Sequence, residues 1–271
     1  MPRLSLCPLT IIRATHREIV VAAAAGGFDA VGLRLIAPRP GDPVHPIEGG
    51  AGGIADLRRL MSDNGIALFD IESLWLSAAT QPEAIRPALD ICAALGGKNL
   101  LIAGNDPEPE RMAANLAALA GLAAEYGIRA CVEPTSWCVL NRLDHAKDLI
   151  RRAGVANTGI IIDTLHMDRA GETPASLAAL DPGLIGYVQI CDAALQRPSS
   201  SADLMAEARG NRLLPGEGKL PLNAMLDALP QGLAIGVEAP TRELADLTFV
   251  DAAKRASDAT QAFFAARDRR N

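Results

Sequence analysis

The chain has 271 residues, 49% hydrophobic but only 3% aromatic, so a sizeable core has to be assembled mainly from Ala, Leu, Ile and Val. A formal net charge of −6 and an isoelectric point near 5.3 argue against a nucleic-acid partner, whose phosphate backbone needs concentrated Lys and Arg. Cys7, Cys92, Cys131, Cys138 and Cys191 are odd in number and form no C-x-x-C pair, which excludes a disulfide framework and a zinc ribbon and fits a reducing cytoplasm.

The opening MPRLSLCPLTII enters a strand-like run without the basic region, long apolar segment and cleavage site of a signal peptide. The apolar stretch IVVAAAAGGFDAVGL is broken by Gly26, Gly27 and Asp29 before the roughly 20 residues that span a bilayer, so no transmembrane helix is expected. Short β-rich runs begin near Leu4, Ala30, Ala67, Asn99, Arg129, Gly159, Gly186 and Ala234. Between them, helical periodicity covers 16–25, 54–64, 83–95, 109–126, 143–153 and 249–267, and Gly26-Gly27, Gly65, Gly96-Gly97, Gly127 and Gly154 act as stop signals.

Eight strand–helix units at a spacing of roughly thirty residues predict an α/β chain folded as one (β/α)₈ TIM barrel domain over 1–271. A doubly wound open sheet is the alternative, and it would normally carry a Gly-rich fingerprint after an early strand. GGAGG at 49–53 follows the Pro-rich PRPGDPVHP and reads as a flexible loop, while GEGKL at 216–220 lacks the partner glycine of a phosphate loop and has Leu220 at the Ser/Thr position. The long connections 36–53 and 192–220 are expected on the C-terminal face of the barrel, where active sites are built.

Charged residues ending apolar strands carry the functional signal, because a buried carboxylate is costly without a cation or hydrogen-bond partners. IRACVE ends at Glu133, TGIIID at Asp163 and LAIGVE at Glu238, and YVQICDA puts Gln189 at a comparable depth. In a barrel these strand ends are consecutive around the ring, so the four side chains are able to converge as an all-oxygen ligand set. Such a set suits Mn²⁺ or Mg²⁺, with Co²⁺ or Zn²⁺ as softer alternatives. For each acid alone, capping the next helix or pairing with an arginine is the competing role.

VEPTSW at 132–137, IIDTLH at 161–166, YVQICDA at 187–193, RLLPGEGKLPL at 212–222 and GVEAP at 236–240 resemble the xylose isomerase-like TIM barrels, the sugar phosphate isomerase/epimerase superfamily. The resemblance runs from LSLCPLT onward and is most specific in the C-terminal half. It implies a divalent metal on Glu133, Asp163 and Glu238, with Gln189 where most branches carry histidine. The hydroxypyruvate isomerase and 3-dehydroshikimate dehydratase branches resemble this chain in using glutamine there. Glu133 and Glu238 would then flank the substrate, one removing a proton beside a carbonyl and the other returning it, through a metal-stabilised enediolate.

His166, three residues after Asp163, matches a D-x-x-H histidine that contacts a substrate oxygen, with a solvated loop histidine as the alternative. Solvation is the preferred reading for His16 and His145, and His45 is placed for a lid contact. Arg212, in the segment that closes over substrate in similar dehydratases, is expected to bind a phosphate or carboxylate, ahead of Arg209 and Arg169; pairing with Glu207 or Glu217 competes with that role. Glu72 is read as ending the third strand in FDIESLW, where it repels a carboxylate and suits sugar hydroxyls, with Asp70 and Trp75 shaping the same wall.

The expected activity is therefore a metal-dependent sugar or sugar phosphate isomerase or epimerase acting on a small sugar or polyol. The alternative is a dehydratase of a keto-cyclitol or 3-dehydroshikimate-like substrate on the same scaffold. An apurinic-site endonuclease of the same superfamily needs several metals on many histidines and a basic groove, whereas this chain is acidic and has four histidines. A barrel that only binds its ligand leaves two strand-end glutamates unexplained, and the sequence leaves homo-oligomerisation open.

Overall fold

Eight parallel strands close into a barrel in chain order: β1 (Leu4–Leu6), β2 (Ala30–Arg34), β3 (Ala67–Leu76), β4 (Asn99–Gly104), β5 (Arg129–Glu133), β6 (Thr158–Asp163), β7 (Ile185–Ile190) and β8 (Ile235–Val237), with β1 pairing both β2 and β8. The computed structural model describes residues 2–38, 42 and 44–269; part of the Pro-rich connection expected as a loop lies outside them. Closure excludes the open doubly wound sheet. The strands are almost wholly buried, as expected when helices cover one face and the lumen the other.

The helices are α1 (His16–Gly26), α2 (Gly50–Asp63), α3 (Arg86–Ala94), α4 (Pro109–Glu125), α5 (Leu143–Ala153), α6 (Thr164–Ala170), α7 (Pro174–Ala178), α8 (Ser201–Gly210), α9 (Leu222–Asp227), α10 (Arg242–Ala245) and α11 (Phe249–Asp268). Local chemistry fixes several ends. Thr15 and Glu18 form a reciprocal capping box on α1, and α5 carries Asp144 in its first turn and Arg151 and Arg152 in its last, matching the helix dipole. None of these helices is long and apolar enough to cross a membrane.

Two expectations change. GGAGG is not a flexible loop throughout: Gly49 caps α2 with φ of 82°, and a Cβ at Gly53 would lie 1.8 Å from the Glu48 carbonyl oxygen, so only glycine permits the helix to begin four residues early. The helix expected over 83–95 is divided, because Pro82–Ile85 forms a 3₁₀ turn before α3 begins.

The apolar residues separate into two bodies. The larger lies between barrel and helices, with Leu33, Leu89, Leu116, Ile162 and Val237 among its fully buried members. The smaller one, Leu101, Cys131, Ile161 and Tyr187 with Phe69 packed against it, plugs the lumen beneath β4 to β7. Side chains alternate along a strand, so two residues beyond this plug Glu133, Asp163 and Gln189 rise into the next layer of the lumen.

Candidate active site

Hydroxyl clamps hold the strand ends that carry the site. The Thr164 hydroxyl donates to the Cys191 carbonyl at 2.9 Å and accepts from the Cys191 amide at 3.0 Å, tying β6 to the end of β7. The Thr10 hydroxyl donates to the Val237 carbonyl and accepts from the Ala239 amide, bracketing Glu238 just past β8. Asp192 accepts from the backbone amides of Gly216 and Leu220, and its backbone pairs with Leu213, so the PGEG loop is folded back over the barrel. That loop delivers Arg212.

The arginine stands between two of the strand-end acids. Its Nη1 donates to Asp163 Oδ2 at 2.6 Å and its Nη2 to Glu238 Oε2 at 2.8 Å, while Nε donates to the Ala208 carbonyl. Glu238 Oε1 accepts from Gln189 Nε2 at 3.3 Å, and Asp163 Oδ1 accepts from the His166 amide at 2.9 Å, so Asp163 also caps α6. Ligand atoms of Glu133, Asp163 and His166 lie within 4.8 Å of one another. Ligand atoms of Glu238, Glu72 and Cys7 form a second such group, and the two groups are linked by Arg212, between Asp163 and Glu238, with Gln189 against Glu238.

Burial and charge divide these groups. Burial, with Glu238 and Asp163 nearby, pushes Glu133 well above the usual carboxylate range, and burial raises Glu238 to about 7 despite Arg212. Burial also works to raise Asp163, but Arg212 and His166 outweigh it and hold that acid low. Burial lowers His166 to about 4, so its imidazole is neutral at physiological pH; Ser136 Oγ lies 3.3 Å from its Nδ1 and Trp137 meets it edge-on.

A cleft of about 490 Å³ opens above this cluster, and its walls include Arg34, Glu72, Trp75, Glu133, His166 and Glu238. A wider groove of about 890 Å³ near Pro215 and Phe263 has one buried acid, Asp192, whose oxygens are occupied by backbone amides. The strand-end acids Glu133 and Glu238 line the smaller cleft.

Several expectations are corrected by position. Glu72 does not end the third strand: β3 continues to Leu76, and Glu72 pairs in register with Arg34, whose Nη2 is 3.9 Å from Glu72 Oε2. Asp70 lies deeper still, accepting from the Tyr187 hydroxyl at 2.6 Å. His166 is no loop histidine but sits buried in the first turn of α6, and His16 is not solvated either, because its Nε2 bonds the Arg34 carbonyl at 3.2 Å. Arg212 pairs with neither Glu207 nor Glu217; Arg169 takes Glu207 and Arg255 takes Glu217.

Arg34, Ser136 and Trp137 were not singled out from sequence. The available signal for Arg34 was a lone cation inside VGLRLIA, the same kind of interruption that marks Glu133.

The donor set fits a divalent cation. Glu133 Oε1 and Gln189 Oε1 are buried with no hydrogen-bond partner, and a buried acceptor left so is costly unless a ligand takes it. Around the cleft five buried carboxyl groups, Asp70, Glu72, Glu133, Asp163 and Glu238, face two buried guanidinium groups, Arg34 and Arg212. Glu133, Asp163, Gln189 and Glu238 are the oxygen donors that would hold such a cation.

A family described as xylose isomerase-like TIM barrel matches residues 20–266. A 3-dehydroshikimate dehydratase of Pseudomonas aeruginosa is 30% identical over 225 residues, covering 78% of this chain and 33% of its own length. An inosose isomerase of Bacillus velezensis is 26% identical over 152 residues, 54% of this chain and 52% of the relative. The chain thus spans about a third to a half of the curated relatives it matches. Among solved structures, a zinc-bound IolI protein superposes with a TM-score of 0.79 at 18% identity, over 98% of this chain and 99% of that one, which establishes likeness of fold.

Proposed function

Since the chain belongs to the xylose isomerase-like TIM barrel family, we propose that it is a divalent-metal-dependent isomerase or epimerase that moves a proton beside the carbonyl of a small polyhydroxylated substrate. The observation that carries this reading is the pair Glu133 and Glu238, both buried, at the end of β5 and just past β8 on either side of Asp163 and Gln189. Glu238 is steadied by Arg212 and Gln189, while Glu133 has only the Thr135 hydroxyl at 3.2 Å. Two carboxyl groups in unequal surroundings suit an acid–base pair.

Glu133, Asp163, Gln189 and Glu238 would hold a divalent ion, which would supply Lewis-acid polarisation of a bound carbonyl. The all-oxygen donors favour Mn²⁺ or Mg²⁺. Neutral His166, on the cleft wall, offers a hydrogen bond to a substrate oxygen without adding charge. The apolar plug beneath excludes water from below.

A second reading, dehydration of a keto-cyclitol or 3-dehydroshikimate-like acid, is favoured by the dehydratase relative and by the placement of Glu72. It begins with the same proton removal and diverges when a hydroxyl leaves the neighbouring carbon. Incubation in D₂O with keto-sugars, inososes and 3-dehydroshikimate, followed by mass spectrometry, separates the two. Deuterium gained without loss of water supports isomerisation or epimerisation, loss of water supports the lyase, and silence across the panel refutes both.

A further inference from the structure

Three arginines are deeply buried among the described residues, and two of them are fully employed. Arg212 bonds Asp163 and Glu238, and Arg169 grips Glu207 through two bonds of 2.8 Å. Arg34 is different. Its side chain is 9% exposed, its nearest acid, Glu72, is 3.9 Å from Nη2 and so beyond hydrogen-bond length, and its Nε is buried with no partner.

Burying a guanidinium without using its donors is unfavourable, and a fold keeps such a group where a ligand offsets the loss. The placement is rigid: Arg34 is the last residue of β2, paired in register with β3, and His16 holds its carbonyl oxygen. It lines the same cleft as Glu133, His166 and Glu238. The cleft's other arginine outside the acid cluster, Arg209, already reaches Asp42 at 3.2 Å.

We propose that Arg34 is a carboxylate-binding subsite, so that the molecule processed between Glu133 and Glu238 is a polyhydroxylated carboxylic acid and not a neutral sugar. This rests on the proposed proton transfer for its location. The planar fork of a guanidinium matches the two oxygens of a carboxylate. One positive charge with Glu72 and Glu238 on the same wall suits a singly charged group better than a phosphate dianion. Glu72 lies on the same wall, 3.9 Å from Arg34 Nη2, where the guanidinium offsets its charge.

The test is calorimetric binding to the metal-loaded protein, which needs no turnover. The probes are quinate against its methyl ester, gluconate against glucitol, and glucose 6-phosphate as the phosphorylated arm. At least one acid is expected to bind tenfold or more tightly than its neutral counterpart and more tightly than the phosphate ester. Arg34→Gln abolishes that preference with bound metal unchanged, and Arg34→Lys, which keeps the charge but not the fork, retains a smaller one and carries the test alone if the first variant does not fold. Equal binding of acid and neutral partner, no binding of either acid, tighter binding of the phosphate ester, or a preference surviving in Arg34→Gln overturns the proposal. A carboxylate preference in a protein that exchanges no deuterium leaves Arg34 standing and removes the reaction.

Discussion

Replacing Arg212 by methionine tests whether this arginine carries the charge balance of the metal-free site. The guanidinium has side-chain exposure of 1% and bonds Asp163 and Glu238, themselves 0% and 6% exposed. Methionine fills most of the same volume, so the loss is electrostatic and not a cavity. Removing one partner of a buried ion pair costs about 3–5 kcal/mol, because the other charge stays buried and uncompensated. Two acids lose their counter-ion here, which places the expected destabilisation at the upper end of that range unless Glu238, already at about 7, takes up a proton.

Under the proposed function a divalent ion would neutralise the same carboxylates, so the destabilisation should shrink to roughly 1–2 kcal/mol in saturating Mg²⁺, about the value of the hydrogen bonds lost. Urea unfolding followed by far-ultraviolet circular dichroism, with chelator and with Mg²⁺, measures both values. A loss below about 1 kcal/mol in chelator, or equal losses with and without metal, would refute the assignment of Arg212 as the internal counter-ion.

Other expectations are open to direct measurement. Glu133→Gln and Glu238→Gln should each lower turnover by at least about 10²-fold while leaving the melting curve cooperative; activity retained in both removes the two-glutamate mechanism. Gln189→His should raise the preference for Co²⁺ or Zn²⁺ over Mg²⁺ by roughly tenfold in competition titrations, and an unchanged preference argues that Gln189 is no ligand. The metal-free protein should also weaken as pH rises from about 4 to 7. Burial raises Glu238 from 4.5 to about 7 and Asp70 from 3.8 to about 6, and a carboxyl raised in the folded state contributes stability that is present at low pH and lost as pH passes its folded value. Each is worth about 3 kcal/mol, and Glu133 and Glu72 add in the same sense. His166, depressed from 6.5 to about 4, and Asp163, held low, act oppositely but are outnumbered. A chelated protein that melts no lower at pH 8 than at pH 5 contradicts this account.

The strands and the four strand-end residues were legible because a parallel barrel buries both faces of each strand. Its strands read as apolar runs, and any polar residue within one stands out. Glu133, Asp163, Gln189 and Glu238 interrupt such runs at their ends. The depth of Glu72 was not legible, since β3 shifts register against β2 between Val31 and Gly32, and against β4 between Ile71 and Leu74, and no residue type marks either irregularity. The partners of Arg212 and the burial of His16 depend on chain segments far away in sequence, which spacing does not encode.

The barrel lumen is asymmetric, and this divides the work of the site. Beneath β4 to β7 lies the apolar plug that supports Glu133, Asp163 and Gln189 from below. On the β8, β1, β2 and β3 side the lumen is polar, with Cys7, Asp70 and Glu72 packed where glycines leave room: a Cβ at Gly32 would come within 2.4 Å of Asp70 Oδ1, and one at Gly236 within 2.6 Å of Cys7 Sγ. Arg34 stands at the top of this polar side. Under the proposed function, proton transfer belongs to the β5 to β8 arc and substrate selection to β2 and β3. Substitutions at Arg34 or Glu72 then alter which carbonyl compound is held while leaving Glu133 in place, but they also reach Glu238, whose ligand atom lies within 4.8 Å of that of Glu72 and whose charged form Arg34 favours.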